Sequence, residues 1–322
     1  GLYLLASVAL VVSVMRLASK KVLVHDMKCI ETLARVNVLC VDKTGTITEN
    51  TMEVNGEIPM DGYDSQSMAP LKQIISDFAS AMSSDNITMK AMKDYFNKPS
   101  GRKAVSVSPF SSQFKYSGAA FEDGSYVLGA PEFVLREDYD NYREQIEQYS
   151  SEGYRVLVFG IYDGVIDGKA LTGKVTPLGL VFLSNPIRKE APETFKYFEN
   201  QGVEIKVISG DNPVTVSQVA LQAGIANADN YIDASTLTTD EAIEDAVLRY
   251  TVFGRVTPDQ KRKFVRALKK AGRTVAMTGD GVNDVLALKD ADCSVAMASG
   301  SDAAAQASQL VLLDSNFACM PS

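Results

Sequence analysis

Apolar positions fall in short blocks along this chain, and the spacing between blocks changes partway. Five runs, at 36–41, 203–208, 251–253, 274–277 and 293–297, are mostly apolar, and valine recurs in each. Runs of that length, bounded by polar turns, predict strands buried in a sheet. Helical spacing separates most of them, and helix punctuation agrees. Asn212 and Pro213 suit an N-cap and first helical position with Gly224 past the end, while Thr257 and Pro258 open a basic helix closed by Gly272. Strands alternating with helices predict a parallel α/β sheet.

Between about 52 and 184 that alternation is lost. Hairpin patterns span 119–129 around Glu122-Asp123-Gly124 and 156–170 around Asp163-Gly164, with helical patterns near 70–82, 86–96 and 140–151. This is the pattern of a mixed α+β domain inserted into the α/β domain, on a hinge that lets it present substrate. The expected division is 1–20, then 21–51 with 185–322, and 52–184 inserted. Residues 1–15 are apolar apart from two serines, and Arg16, Lys20 and Lys21 follow. A signal peptide carries its charges before the apolar stretch, so the end of a transmembrane helix is expected instead, with the basic residues cytoplasmic.

A length of 322 residues suits roughly two domains. The net charge of −8 and the lack of a basic stripe interleaved with aromatics argue against nucleic acid as a partner. Cys29, Cys40, Cys293 and Cys319 show no C-x-x-C spacing, which argues for a reducing compartment and against a zinc or disulfide framework. His25 is the single histidine and lies in a polar connection, so histidine catalysis is not expected.

Candidate chemistry gathers where three of the runs end. Asp42-Lys43-Thr44-Gly45-Thr46 follows the first, Ser209-Gly210-Asp211 the second, and Thr278-Gly279-Asp280-Gly281-Val282-Asn283-Asp284 the fourth. Each turn precedes a helix and offers N–H groups and a hydroxyl to an anion. Carboxylates so close together require a cation, and an oxygen-only set suits Mg²⁺. The expected reaction is phosphoryl transfer to Asp42. Lys43 is a turn lysine or screens this anionic site. Lys261, in the first turn of its helix, is badly placed for the helix dipole and better explained by a phosphate; Arg255 carries the same argument more weakly. Asn283 and Asp284 have an N-cap alternative.

D-K-T-G-T, S-G-D and T-G-D-G-x-N-D in this order resemble the phosphorylation domain of P-type ATPases, within the haloacid dehalogenase superfamily. The resemblance implies a doubly wound parallel sheet, with 52–184 an inserted nucleotide-binding domain and 1–20 the end of the fourth transmembrane helix. It implies that Asp42 accepts the γ-phosphoryl group of ATP and that Mg²⁺ is held by Asp42, the Thr44 carbonyl and Asp280. Thr44, Ser209, Gly210, Lys261 and Asn283 would contact the phosphoryl group, with Lys43 and Asp284 part of the catalytic set. Asp211, Arg188 and Arg255 would serve the nucleotide. Phe110-Ser111-Ser112-Gln113-Phe114-Lys115 resembles the segment whose Phe stacks on adenine and whose Lys lies near the nucleotide, and Gly153-Tyr154-Arg155 the segment that brings an arginine to the phosphates. Leu128 stands where many members have lysine, Met89 where an acidic contact is common, and Asn185-Pro186-Ile187-Arg188 replaces D-P-P-R.

The family implies a multi-pass cell-membrane protein with this portion mainly cytoplasmic. The flanks, Gly1-Leu2-Tyr3-Leu4-Leu5 through Glu31-Thr32-Leu33-Ala34-Arg35, look like those of bacterial calcium-exporting members, which makes Ca²⁺ the expected cargo ahead of magnesium or another cation. One alternative is a soluble phosphatase of the same superfamily with a cap domain, but such enzymes place an acid/base Asp two residues after the nucleophile, where this chain has Thr44. A non-catalytic nucleotide- or phosphate-binding regulatory domain is the other.

Overall fold

The structure, a computed structural model, describes residues 22–24, 31–32, 34–279, 284–297 and 310–312. Two compact units divide the chain, one formed by residues 1–50 with 187–322 and the other by 51–186. The transmembrane segment expected at 1–20 lies outside the described residues, as do His25, Cys29 and Cys319. Among the described residues no helix is long and apolar enough to cross a membrane.

In chain order the first unit contains β1 (Val22–Val24) and β2 (Val38–Asp42) before the second unit intervenes. The second holds β3 (Glu53–Pro59), α1 (Leu71–Ala81), α2 (Ile87–Tyr95), β4 (Ser106–Ser108), β5 (Tyr116–Phe121), β6 (Gly124–Gly129), α3 (Pro131–Leu135), α4 (Arg143–Ser151), β7 (Arg155–Tyr162) and β8 (Val175–Ser184). The first unit resumes with α5 (Ala191–Asn200), β9 (Glu204–Ile208), α6 (Pro213–Gln222), β10 (Tyr231–Asp233), α7 (Asp240–Arg249), β11 (Val252–Gly254) and α8 (Pro258–Lys270). It continues through β12 (Val275–Gly279), α9 (Val285–Asp290), β13 (Cys293–Met297) and β14 (Leu310–Leu312).

The first unit is an eight-stranded sheet in the order β1-β14-β13-β12-β2-β9-β11-β10. All its pairings are parallel except β1 with β14. Val38, Leu39, Cys40 and Val41 are all buried because β2 is covered on both faces. Its odd and even residues divide between two cores. Leu39 and Val41 pack with Phe195 of α5 and Val216 of α6, whereas Val38 and Cys40 pack with Phe264 of α8 and Leu288 of α9. After β2 the chain first adds β9 on one side and later returns to place β12 on the other. The strand order therefore reverses at β2, which makes its carboxyl end the topological switch point where such sheets bind ligands.

The second unit is a six-stranded antiparallel sheet, β3-β8-β7-β6-β5-β4. Phe78 of α1 and Met92 of α2 pack on one face with Leu128 and Phe159, and Val134 of α3 and Ile146 of α4 on the other with Val127 and Val158. The hairpin expected at 119–129 is β5–β6. The hairpin expected within 156–170 is not formed. β7 pairs instead with β8, in the register Tyr162↔Val175. The residues between loop out, with the Tyr162 hydroxyl accepting from the Thr172 and Gly173 N–H groups at 3.0 and 3.2 Å. Asp163-Gly164 has the chemistry of a tight turn, but the residues after it, with Gly168 and Gly173, are too polar and interrupted to supply a returning strand, and the apolar run resumes only at Val175.

Candidate active site

β2 carries Asp42 to the switch point as its last residue, in register with Ile208 of β9. The chain then turns sharply. Thr44 is extended at φ −76° and ψ 126°, and Gly45 takes φ 84°, where a Cβ would be strained. The Thr48 N–H and hydroxyl close the turn by donating to the Lys43 carbonyl at 3.1 and 3.2 Å. Arg188 holds the same turn from outside, donating Nη2 to the Gly45 carbonyl at 2.8 Å and its N–H to the Ile47 carbonyl at 2.9 Å.

The Asp42 side chain retains 15% exposure, and Lys261 Nζ lies 3.6 Å from its Oδ2. The same ammonium is 2.8 Å from Oδ1 of Asp284, a side chain only 2% exposed. Burial alone would lower the Lys261 pKa, but the Asp42 and Asp284 carboxylates outweigh it and hold it above the ordinary lysine value. One permanent cation thus bridges a sealed carboxylate and a partly open one. Asp284 occupies the N-cap position of α9 but makes no side-chain cap, because its carboxylate is turned to Lys261. Gly279 makes room for it: a Cβ there would lie 2.9 Å from the Asp284 Cβ.

The loop after β9 supplies a second charge pair. Lys43 is buried, 4% exposed, and its Nζ lies 2.9 Å from Asp211 Oδ2. It screens a carboxylate instead of lying in solvent as a turn lysine. Ser209 is buried as well, and its Oγ accepts from the Asp211 N–H at 3.1 Å. Gly210, between them, is exposed. Arg255 donates its N–H to the Asp211 carbonyl at 2.7 Å, while its guanidinium pairs with Asp233 at the end of β10. Burial alone would raise the Asp233 pKa, but hydrogen bonds from Ser235 and the Arg255 charge hold the carboxyl below its usual range. Asp280 and Asn283 lie outside the described residues. Among the described residues no three His, Cys, Asp or Glu side chains form a metal cluster.

In the second unit, Phe110 and Arg155 border one cleft of about 150 Å³ together with Met89, Leu128, Gly129 and Leu157. Lys115 does not line it; that residue is exposed, at φ 56°, with its N–H on the Ser111 carbonyl at 2.7 Å.

A carboxylate at the switch point of a parallel sheet, beside a lysine fixed by a second carboxylate, is an arrangement that can accept a phosphoryl group. A family model described as haloacid dehalogenase-like hydrolase matches residues 36–292. The chain belongs to that family. Within it, the chain is 44% identical over 323 residues to the calcium-transporting ATPase CtpE of Mycobacterium bovis, a match covering 100% of this chain and 40% of the relative. It is 41% identical to the probable cation-transporting ATPase exp7 of Streptococcus pneumoniae, covering 100% of this chain and 41% of that protein. The chain thus spans about 40% of the length of such relatives. The crystal structure of a zinc-transporting PIB-type ATPase in the E2.Pi state shares the fold, with a TM-score of 0.63 at 20% identity over 95% of this chain and 43% of that one.

Sequence reasoning named Thr46 and Thr278 only as members of their turns and missed their contact, and it missed Asp233 altogether. The Thr46 and Thr278 hydroxyls, both fully buried, meet at 3.2 Å and tie the turn after β2 to β12. Asp233, the partner of Arg255, ends a strand of only three residues, too short to stand out in a hydropathy pattern. A signal was available for Thr278, since it opens the T-G-D-G motif itself.

Proposed function

We propose that this chain is the phosphorylation and nucleotide-binding part of a P-type cation pump. In this reading residues 52–184 bind ATP, 21–51 with 185–322 take the phosphoryl group, and 1–20 end a membrane helix. Asp42 Oδ attacks the γ-phosphorus, the bond to the β,γ-bridging oxygen breaks, ADP leaves, and an aspartyl phosphate remains. The observation that carries the reading is the partly open Asp42 carboxylate beside the fixed Lys261 ammonium, 3.6 Å away.

Lys261 offsets charge on the incoming phosphoryl oxygens, and Thr44, Ser209 and Gly210 donate to them, with Asn283 expected to join. Lys43 holds Asp211 beside that loop, and Asp284 holds Lys261. Arg155 reaches the phosphates and Phe110 stacks on the base. Asp42 and the Thr44 carbonyl form an oxygen-only donor set that fits Mg²⁺, with Asp280 the expected third ligand. That ion would neutralise phosphate oxygens during transfer. The name of the calcium-transporting relative favours Ca²⁺ as cargo, and the P-type resemblance adds a multi-pass membrane protein with this portion on the cytoplasmic side.

The test is incubation with ATP labelled at the γ-phosphorus, followed by acid quench. An acid-stable, hydroxylamine-labile label that disappears in Asp42→Asn is expected. Label that persists in Asp42→Asn would sink the assignment.

A further inference from the structure

The cleft of the second unit is walled mainly by apolar side chains, and Arg155 is its one charged residue. Its walls are Met89, Leu128 and Leu157, all at most 5% exposed, with the Phe110 ring, 44% exposed, at the opening. No carboxylate or ammonium lines it. Arg155 is assigned above to the phosphates; its Nη1 donates to Thr88 Oγ1 at 3.3 Å.

Three neutral side chains complete the lining, and one polar atom of each is engaged inside the protein. Asn86 Oδ1 accepts from the Met89 N–H at 2.7 Å as the N-cap of α2. Thr88 Oγ1, besides accepting from Arg155, donates to Met52 Sδ at 3.5 Å. Ser117 Oγ donates to the Leu128 carbonyl at 3.5 Å.

Adenine carries a donor at position 6 where guanine carries an acceptor, and guanine adds a 2-amino donor. A site rejects the wrong base strongly only when a fixed partner is left unpaired by it. Apolar walls discriminate between near-isosteres weakly, whereas a site built to hydrogen-bond its ligand discriminates by several orders of magnitude. Stacking on Phe110 is equally open to either purine, because every base offers a π-face. Met89 adds a flexible, polarisable wall that adapts to small changes in ring outline.

We infer that this cleft binds purine nucleoside triphosphates with little discrimination between adenine and guanine, so that GTP is a ligand of the same class as ATP. This rests on the proposal that residues 52–184 bind nucleotide.

The experiment is titration calorimetry of the whole chain with ATP and with GTP, repeated on Phe110→Ala, an exposed position whose truncation leaves the core intact. The expected result is two dissociation constants within about tenfold of each other, both weakened about tenfold or more, and by a similar factor, in Phe110→Ala. ATP binding more than tenfold tighter than GTP, or the reverse, overturns the inference while leaving nucleotide binding in place. Two nucleotides that fail to bind, or whose affinities ignore Phe110→Ala, overturn the nucleotide assignment and the inference with it.

Discussion

Replacing Lys261 by Met isolates what the shared ammonium does. The substitution keeps most of the side-chain volume but leaves the Asp284 carboxylate, 2% exposed, with its 2.8 Å cation removed. Breaking a buried ion pair by deleting one partner costs about 3–5 kcal/mol, because the remaining charge is stranded. Asp284→Asn alone leaves the ammonium with Asp42 at 3.6 Å, so a smaller loss of about 1–3 kcal/mol is expected. In the double variant the stranded carboxylate is absent. Its cost should fall short of the sum of the single costs by about 1–3 kcal/mol.

Urea unfolding of the four forms, followed by far-UV circular dichroism, closes this cycle. The pH window follows from the direction of the Lys261 shift. A raised pKa means that the stabilisation is complete below the ordinary lysine value of about 10.4 and is lost only as pH rises through the higher folded value. At pH 7 the unsubstituted protein therefore carries a charged Lys261 ammonium. Additivity within about 0.5 kcal/mol would refute the claim that Lys261 couples to Asp284.

Two further outcomes follow from the same surroundings. Burial pushes the Cys40 thiol up to about 12, against a smaller opposing effect of Lys206, so iodoacetamide at about pH 8 should modify Cys40 only after urea is added; mapping by mass spectrometry checks this, and native labelling at the unfolded rate contradicts it. Gly279→Ala would place its Cβ 2.9 Å from the Asp284 Cβ, which should lower stability by about 1–3 kcal/mol, and an unchanged urea midpoint would show that the two residues do not approach so closely.

The sheet of the first unit was legible because its strands are buried on both faces and so read as apolar runs. Helix starts were legible where the caps are chemical: Thr257 and Gln260 form a reciprocal capping box, and Asn212 Oδ1 accepts from the Val214 N–H at 2.9 Å. The second unit was harder to read. β3 is half exposed, carries Gly56 and ends in Pro59, so neither apolar content nor strand propensity marks it. The partner of β7 was misjudged because a turn signal at Asp163-Gly164 says nothing about how far away the returning strand lies. At the site, Asp42 could be named from its position after an apolar run. The burial of Lys43 could not, since it depends on Asp211, distant in sequence and brought near only by the pairing of β2 with β9.

That pairing bears on how long a phosphoryl group would stay on Asp42. Hydrolysis of an aspartyl phosphate needs a base to take a proton from the attacking water. Two residues past Asp42 stands Thr44, whose hydroxyl is no base at neutral pH. The neighbouring carboxylates are already engaged, Asp284 with Lys261 at 2.8 Å and Asp211 with Lys43 at 2.9 Å. In the proposed function, the lysines of the site that would receive the phosphoryl group are also the groups that engage its neighbouring carboxylates. For the proposed pump, engaged carboxylates beside Asp42 favour a phosphorylated state that lasts long enough to move an ion.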